Sequence, residues 1–98
     1  MARRNLIGAE LVVGTTLVSA TPCGIASVIL TGAAGVDCTI KLYNVAATAD
    51  IVDVVKGLAT DEAYSAIYTP SKPDGFTVGC VAVVAGTGAL GYVSIEPV

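Results

Sequence analysis

The sequence contains no histidine and no tryptophan, one phenylalanine, and only 13% charged residues. Each shortage removes a class of function. Without His there is no imidazole base, no Ser-His-Asp or Cys-His pair, and no zinc site using His. Five basic residues against eight acidic ones leave a net charge of −3, with a pI near 4.5. Phosphate binding needs clustered Lys and Arg, and here the basic residues are scattered, so nucleic acid is not an expected partner. Cys23, Cys38 and Cys80 are an odd three with no C-x-x-C spacing, which removes zinc and thioredoxin-type readings. Each is expected to act as a small buried hydrophobe. One disulfide is compatible with the spacing, which selects no pair.

What the chain does contain is apolar surface. Apolar residues make up 54% of it, fifteen Val and fifteen Ala supplying most of them, and the mean hydropathy is +0.79. That composition excludes disorder, which goes with few β-branched residues and much charge. Ninety-eight residues are room for one domain, expected over 1–98 with an ordered N-terminal arm over about 1–9. A domain of this size buries only about 60–65% of its unfolded surface, yet the apolar content exceeds what one small core uses. The excess goes either into a membrane or against other protein chains.

The uncharged stretch from Leu11 to Val36 is long enough to span a bilayer. It is interrupted by Gly14, Pro22, Gly24, Gly32 and Gly35 and by six Ser and Thr, a strand-and-turn composition, so no membrane span is expected. Arg3, Arg4, the apolar run Leu11 to Val18 and the small residues Val18-Ser19-Ala20 imitate a signal peptide. Glu10 at the edge of the run and Gly14-Thr15-Thr16 inside it weaken the match, which reads as a coincidence of composition.

The clearest periodic segment is Val36 to Tyr43. Val36, Cys38, Ile40 and Leu42 fall on one face and Asp37, Thr39, Lys41 and Tyr43 on the other, the alternation of a half-buried strand. Gly24 to Leu30 reads as the preceding strand, joined to it by a hairpin loop at Thr31-Gly32-Ala33-Ala34-Gly35. Thr77 to Ala85 and Ala89 to Glu96 read as a second hairpin around Gly86-Thr87-Gly88. Glu10 to Ala20 is expected as the first strand and Glu62 to Thr69 as another. Asp50 to Ala59 fits a strand or a short helix, and its Ile and Val content and Gly57 favour the strand. Pro70 to Gly75 is a loop by its local chemistry. About seven short strands with turns every 8–12 residues, by the usual spacing rule, predict an all-β fold, an antiparallel β-sandwich or small barrel.

Chemistry is sparse. Gly86-Thr87-Gly88-Ala89-Leu90-Gly91 spells G-x-G-x-x-G, but too little chain follows for the helix, second strand and acidic residue of a dinucleotide site. Asp50 and Asp53 point to opposite faces of a strand, Asp61-Glu62 sits beside a turn, and no calcium-loop pattern occurs. These carboxylates read as solvated surface charge. No catalytic residue, cofactor or metal is therefore expected, and the chain is not expected to be an enzyme. The candidate interface residues are the four tyrosines Tyr43, Tyr64, Tyr68 and Tyr92, a residue type enriched at protein interfaces, and Arg3 and Arg4 on the N-terminal arm. For the tyrosines the competing reading is partial burial with the hydroxyl at the surface. For the two arginines it is an ordinary solubilising end.

Several segments carry a resemblance: Pro22-Cys23-Gly24-Ile25, Thr39 to Asn44, Pro73-Asp74-Gly75-Phe76, Val78-Gly79-Cys80, Gly86-Thr87-Gly88-Ala89 and Tyr92 to Glu96. Over roughly 20–97 the chain resembles the small β-sandwich virion proteins of tailed bacteriophages, of the kind found as capsid decoration or cement proteins. The resemblance implies a non-enzymatic protein of the capsid surface that binds the major capsid protein or another virion protein. It also implies self-association, for example as a trimer across capsomer junctions. The alternatives are a head–tail connector, tail or fibre-associated virion protein, or a small glycan- or protein-binding module.

Overall fold

In a computed structural model, residues 6–44 and 51–97 are described; Arg3, Arg4 and Asp50 lie outside them. The described residues form eight strands: β1 (Ile7–Val12), β2 (Gly14–Ser19), β3 (Cys23–Gly32), β4 (Cys38–Asn44), β5 (Ile51–Gly57), β6 (Tyr64–Tyr68), β7 (Cys80–Ala85) and β8 (Leu90–Pro97). They make two four-stranded antiparallel sheets, ordered β1-β8-β3-β6 and β2-β7-β4-β5. The two sheets pack as a sandwich rather than closing into a barrel. Within the segment 50–59, where strand and short helix competed, Ile51–Gly57 form strand β5.

Pairing follows one rule. β1 pairs with β8, β2 with β7, β3 with β6 and β4 with β5, so the chain is a long antiparallel ribbon rolled up around its β4–β5 end. Rolling adds the β3–β8 and β4–β7 contacts that complete each sheet. This nested order over two four-stranded sheets is jelly-roll topology.

The rolled ribbon corrects three expectations. Glu10 to Ala20 is not one strand: the chain breaks at Val13, and β1 and β2 lie in opposite sheets. Gly14 makes the break at φ 119°, a backbone region that L side chains rarely adopt. Ile7 to Ala9 belong to β1, so that part of the expected arm is strand. Neither Gly-rich loop is a hairpin, because β3 and β4, like β7 and β8, sit in different sheets. At Gly86-Thr87-Gly88 the Ala89 N–H donates to the Gly86 carbonyl at 3.0 Å and the chain arches across the sandwich. Gly86 is at φ 115°, and a Cβ there would stand 2.7 Å from the Asp37 carbonyl oxygen.

The core lies between the sheets and is built by the alternation read above. Cys38, Ile40 and Leu42 of β4 are fully buried while Lys41 is exposed and Thr39 and Tyr43 are half-buried; Val36, just before the strand, packs half-buried against the core. Val28, Leu30 and Val93 meet them from the other sheet, and Phe76, 1% exposed, enters from the loop between β6 and β7.

Polar anchors set the ends of the strands. Asn44 Oδ1 accepts from Val78 N at 2.9 Å and Gly79 N at 3.4 Å, and its Nδ2 donates to Thr77 Oγ1 at 3.0 Å. Those bonds hold 77–79 as a loop, so β7 starts at Cys80 rather than at Thr77. Asp53, expected as surface charge, is buried at a bulge where β5 shifts register against β4. Its Oδ2 accepts from Ser71 N at 2.6 Å and Lys72 N at 3.2 Å, and its Oδ1 from Val54 N at 2.9 Å. β3 pins the same loop from the other sheet, with Cys23 N to Phe76 O and Ile25 N to Pro73 O both at 3.1 Å.

Candidate protein-interaction faces

Register decides what each broad face shows to solvent. On the outer face of β1-β8-β3-β6, alternation and pairing place Glu10, Tyr92, Ile29 and Ile67 in one row across all four strands. The next row is Val12, Leu90, Thr31 and Ser65. Four of these are exposed apolar side chains: Ile67 at 74%, Val12 at 58%, Leu90 at 53% and Tyr92 at 40%. Between them lies a shallow depression of about 290 Å³, bordered by Glu10, Val12, Ile29, Thr31, Leu90 and Tyr92.

The outer face of β2-β7-β4-β5 repeats the pattern. Leu17, Val81, Tyr43 and Ile51 form an uninterrupted apolar and aromatic row, followed by Thr15, Val83, Lys41 and Val54. Leu17, Ile51 and Val54 are exposed. Both faces of this sandwich thus carry an apolar stripe, whereas an antiparallel sheet that faces water commonly alternates hydrophobic-in with polar-out.

The six candidate residues divide accordingly. Tyr92 and Tyr43 lie on opposite outer faces. Tyr92 reclines over Gly8, where an added Cβ would fall 1.6 Å from the phenol oxygen. Tyr64 and Tyr68, on β6, point inward and pack against the core. Tyr64 fills space left by Gly32 in one sheet and Gly57 in the other, and its hydroxyl donates to Val36 O at 3.4 Å. Its phenol is raised to about 12, chiefly by its hydrogen bond with the Cys38 thiol. The Tyr68 hydroxyl donates to Lys56 O at 3.2 Å. These two hydroxyls tie the β6 edge to the opposite side of the sandwich. Arg3 and Arg4 lie outside the described residues. What residue type alone missed are the aliphatic members of the stripes, Val12, Leu17, Ile51, Ile67 and Leu90. The signal was there: apolar residues on both phases of a strand, as in Ile29-Leu30 and Val54-Val55.

Among the described residues, reactive groups are not assembled. Cys23, Cys38 and Cys80 are free and buried. Burial pushes the Cys23 thiol up, against a smaller lowering by Ser19, and holds Cys80 at about 12 with a contribution from Cys23. Protonated thiols are poor nucleophiles. A wider depression of about 600 Å³ beside the start of β3 is lined by Pro22, Cys23, Gly24, Asp74, Phe76, Thr77, Glu96 and Pro97. Among the described residues no group of three or more metal-ligating side chains forms, and no helix is long and apolar enough to cross a membrane. Comparison with family models, with curated proteins and with solved structures finds no match to this chain.

Proposed function

We propose that this chain is a structural virion protein, a capsid decoration or cement protein that binds the outer shell lattice and stabilises it. The observation that carries the reading is the pair of exposed apolar stripes, one on each broad face. Such surface is costly to leave in water and is stable once covered by protein, and obligate interfaces resemble a domain core cut in half. Jelly rolls host viral capsid domains as well as lectins, a likeness of architecture alone. The tyrosines favour the protein-binding role over a glycan site, because Tyr43 and Tyr92 lie on opposite faces and make no shared stacking platform.

The mechanism is mass action. A protein that binds only the mature shell adds its binding free energy to the stability of that shell, with no catalysis. The test is the copy number of this chain in purified particles, by quantitative mass spectrometry against the major shell protein. A number comparable with the shell protein is expected. A number many times lower would move the chain to the neck or tail, and absence from particles would overturn the virion reading.

A further inference from the structure

The two apolar stripes differ in the charge beside them. Among the described residues, the outward charges on the strands of the β1-β8-β3-β6 face are carboxylates, Glu10 and Glu96. Those on the strands of the β2-β7-β4-β5 face are ammonium groups, Lys41 and Lys56. Asp53, the one acid in the strands of that second sheet, is buried and bonded inward to the 70–75 loop. One face is therefore apolar and acidic, the other apolar and basic.

We propose that the acidic face of one copy receives the basic face of a second copy, giving a face-to-face stack. Each element of the fit is present in one chain. Glu10 borders the depression between Val12, Leu90 and Tyr92, and Lys41 stands next to the stripe of exposed Leu17 and Ile51 with half-buried Tyr43 between them. The molecule measures 42 × 34 × 20 Å, so each broad face offers more than the about 800 Å² per partner that a stable interface needs. Like faces would bring Glu10 against Glu10 or Lys41 against Lys41, and like-charge contacts disfavour wrong partners.

The pairing joins two different surfaces, so a stack of any length still presents one free face of each kind, at its two ends. The faces lie on opposite sides of a thin sandwich, and the assembly that follows is an open stack rather than a closed trimer. It draws on the same two stripes as the virion reading, and the two are tested apart: sedimentation of the pure chain reports self-association, and copy number in particles reports shell binding.

Sedimentation velocity over a concentration series tests it, using the intact protein and two surface variants, Glu10→Lys and Lys41→Glu. The wild type is expected to form a graded series of oligomers that salt weakens. Each variant alone sets like charge against like, and the dissociation constant is expected to rise about tenfold or more. An equimolar mixture restores association, because the new lysine at position 10 of one variant meets the new glutamate at position 41 of the other, and the remaining faces are native. A wild type that stays monomeric at about 100 μM, above the range of specific interfaces, would overturn the proposal. So would a discrete dimer with nothing larger, single variants that associate normally, or a mixture that fails to recover. Circular dichroism on both variants confirms the fold, which substitution at the exposed Glu10 and Lys41 leaves untouched.

Discussion

Replacing Asp53 with alanine is expected to release the 70–75 loop and to remove about 3 kcal/mol of stability. The carboxylate makes two bonds to the loop, from Ser71 N and Lys72 N, and one to its own neighbour Val54 N. A hydrogen bond to a charged group contributes about 1.5–3 kcal/mol net. Ser71 and Lys72 are exposed, so their freed N–H groups can turn to water and the lower end of that range applies to each. The local Val54 bond adds little. Against a total of about 5–15 kcal/mol the loss is a large fraction, and at about 4–8 °C per kcal/mol it lowers Tm by roughly 12–24 °C. Asp53→Asn keeps one acceptor oxygen for the loop and loses only the bond from Val54 N, whose N–H then faces the amide NH2, so its cost is smaller, about 1–2 kcal/mol. Urea unfolding gives the energies, and hydrogen exchange at Ser71 and Lys72 locates them. A loss below about 0.5 kcal/mol for Asp53→Ala, with unchanged protection at both amides, would refute the anchoring role.

Two further outcomes follow from the fold. Gly14 and Gly86 have nearly equal positive φ, but an added Cβ meets nothing within 4 Å at Gly14 and meets the Asp37 carbonyl and Cys38 at Gly86. Gly14→Ala should cost about 1–3 kcal/mol from backbone strain alone, and Gly86→Ala clearly more, by urea unfolding; equal costs would argue against the β7–β8 arch. The Cys80 thiol, at about 12 in the fold against 9.0 when unfolded, makes stability pH-dependent in one direction. Below pH 9 both states hold the proton. From 9 toward 12 the unfolded chain releases it while the folded chain keeps it, so stability falls as pH rises. Cys80→Ala should flatten that slope, and a thiolate absorbance showing Cys80 ionised near 9 in the folded protein would contradict it.

Local order was legible in the sequence and pairing was not. The alternation through Cys38, Ile40 and Leu42 settled a strand and its inward face, because side-chain direction in a strand depends only on the parity of position. Looser alternation placed β6, Ile and Val content favoured β5 as a strand, and β3 and β8 were placed as runs bounded by turn chemistry. Parity says nothing about which strand lies alongside. Thr31 to Gly35 and Gly86 to Gly88 are chemically suited to a hairpin or to an arch, and the choice was made by the β3–β8 and β4–β7 pairings far along the chain. Asp53 reads as surface charge until the bulge in β5 and the 70–75 loop enclose it with three N–H donors. The exposed apolar stripes have the same origin. Glu10, Tyr92, Ile29 and Ile67 are separated by as many as 82 residues in sequence and become one row only when the ribbon rolls. Composition determined that this protein has more apolar surface than one small core can hold. Only the tertiary structure decided that the surplus lies on two opposite faces, since that is a property of register, which no single strand encodes.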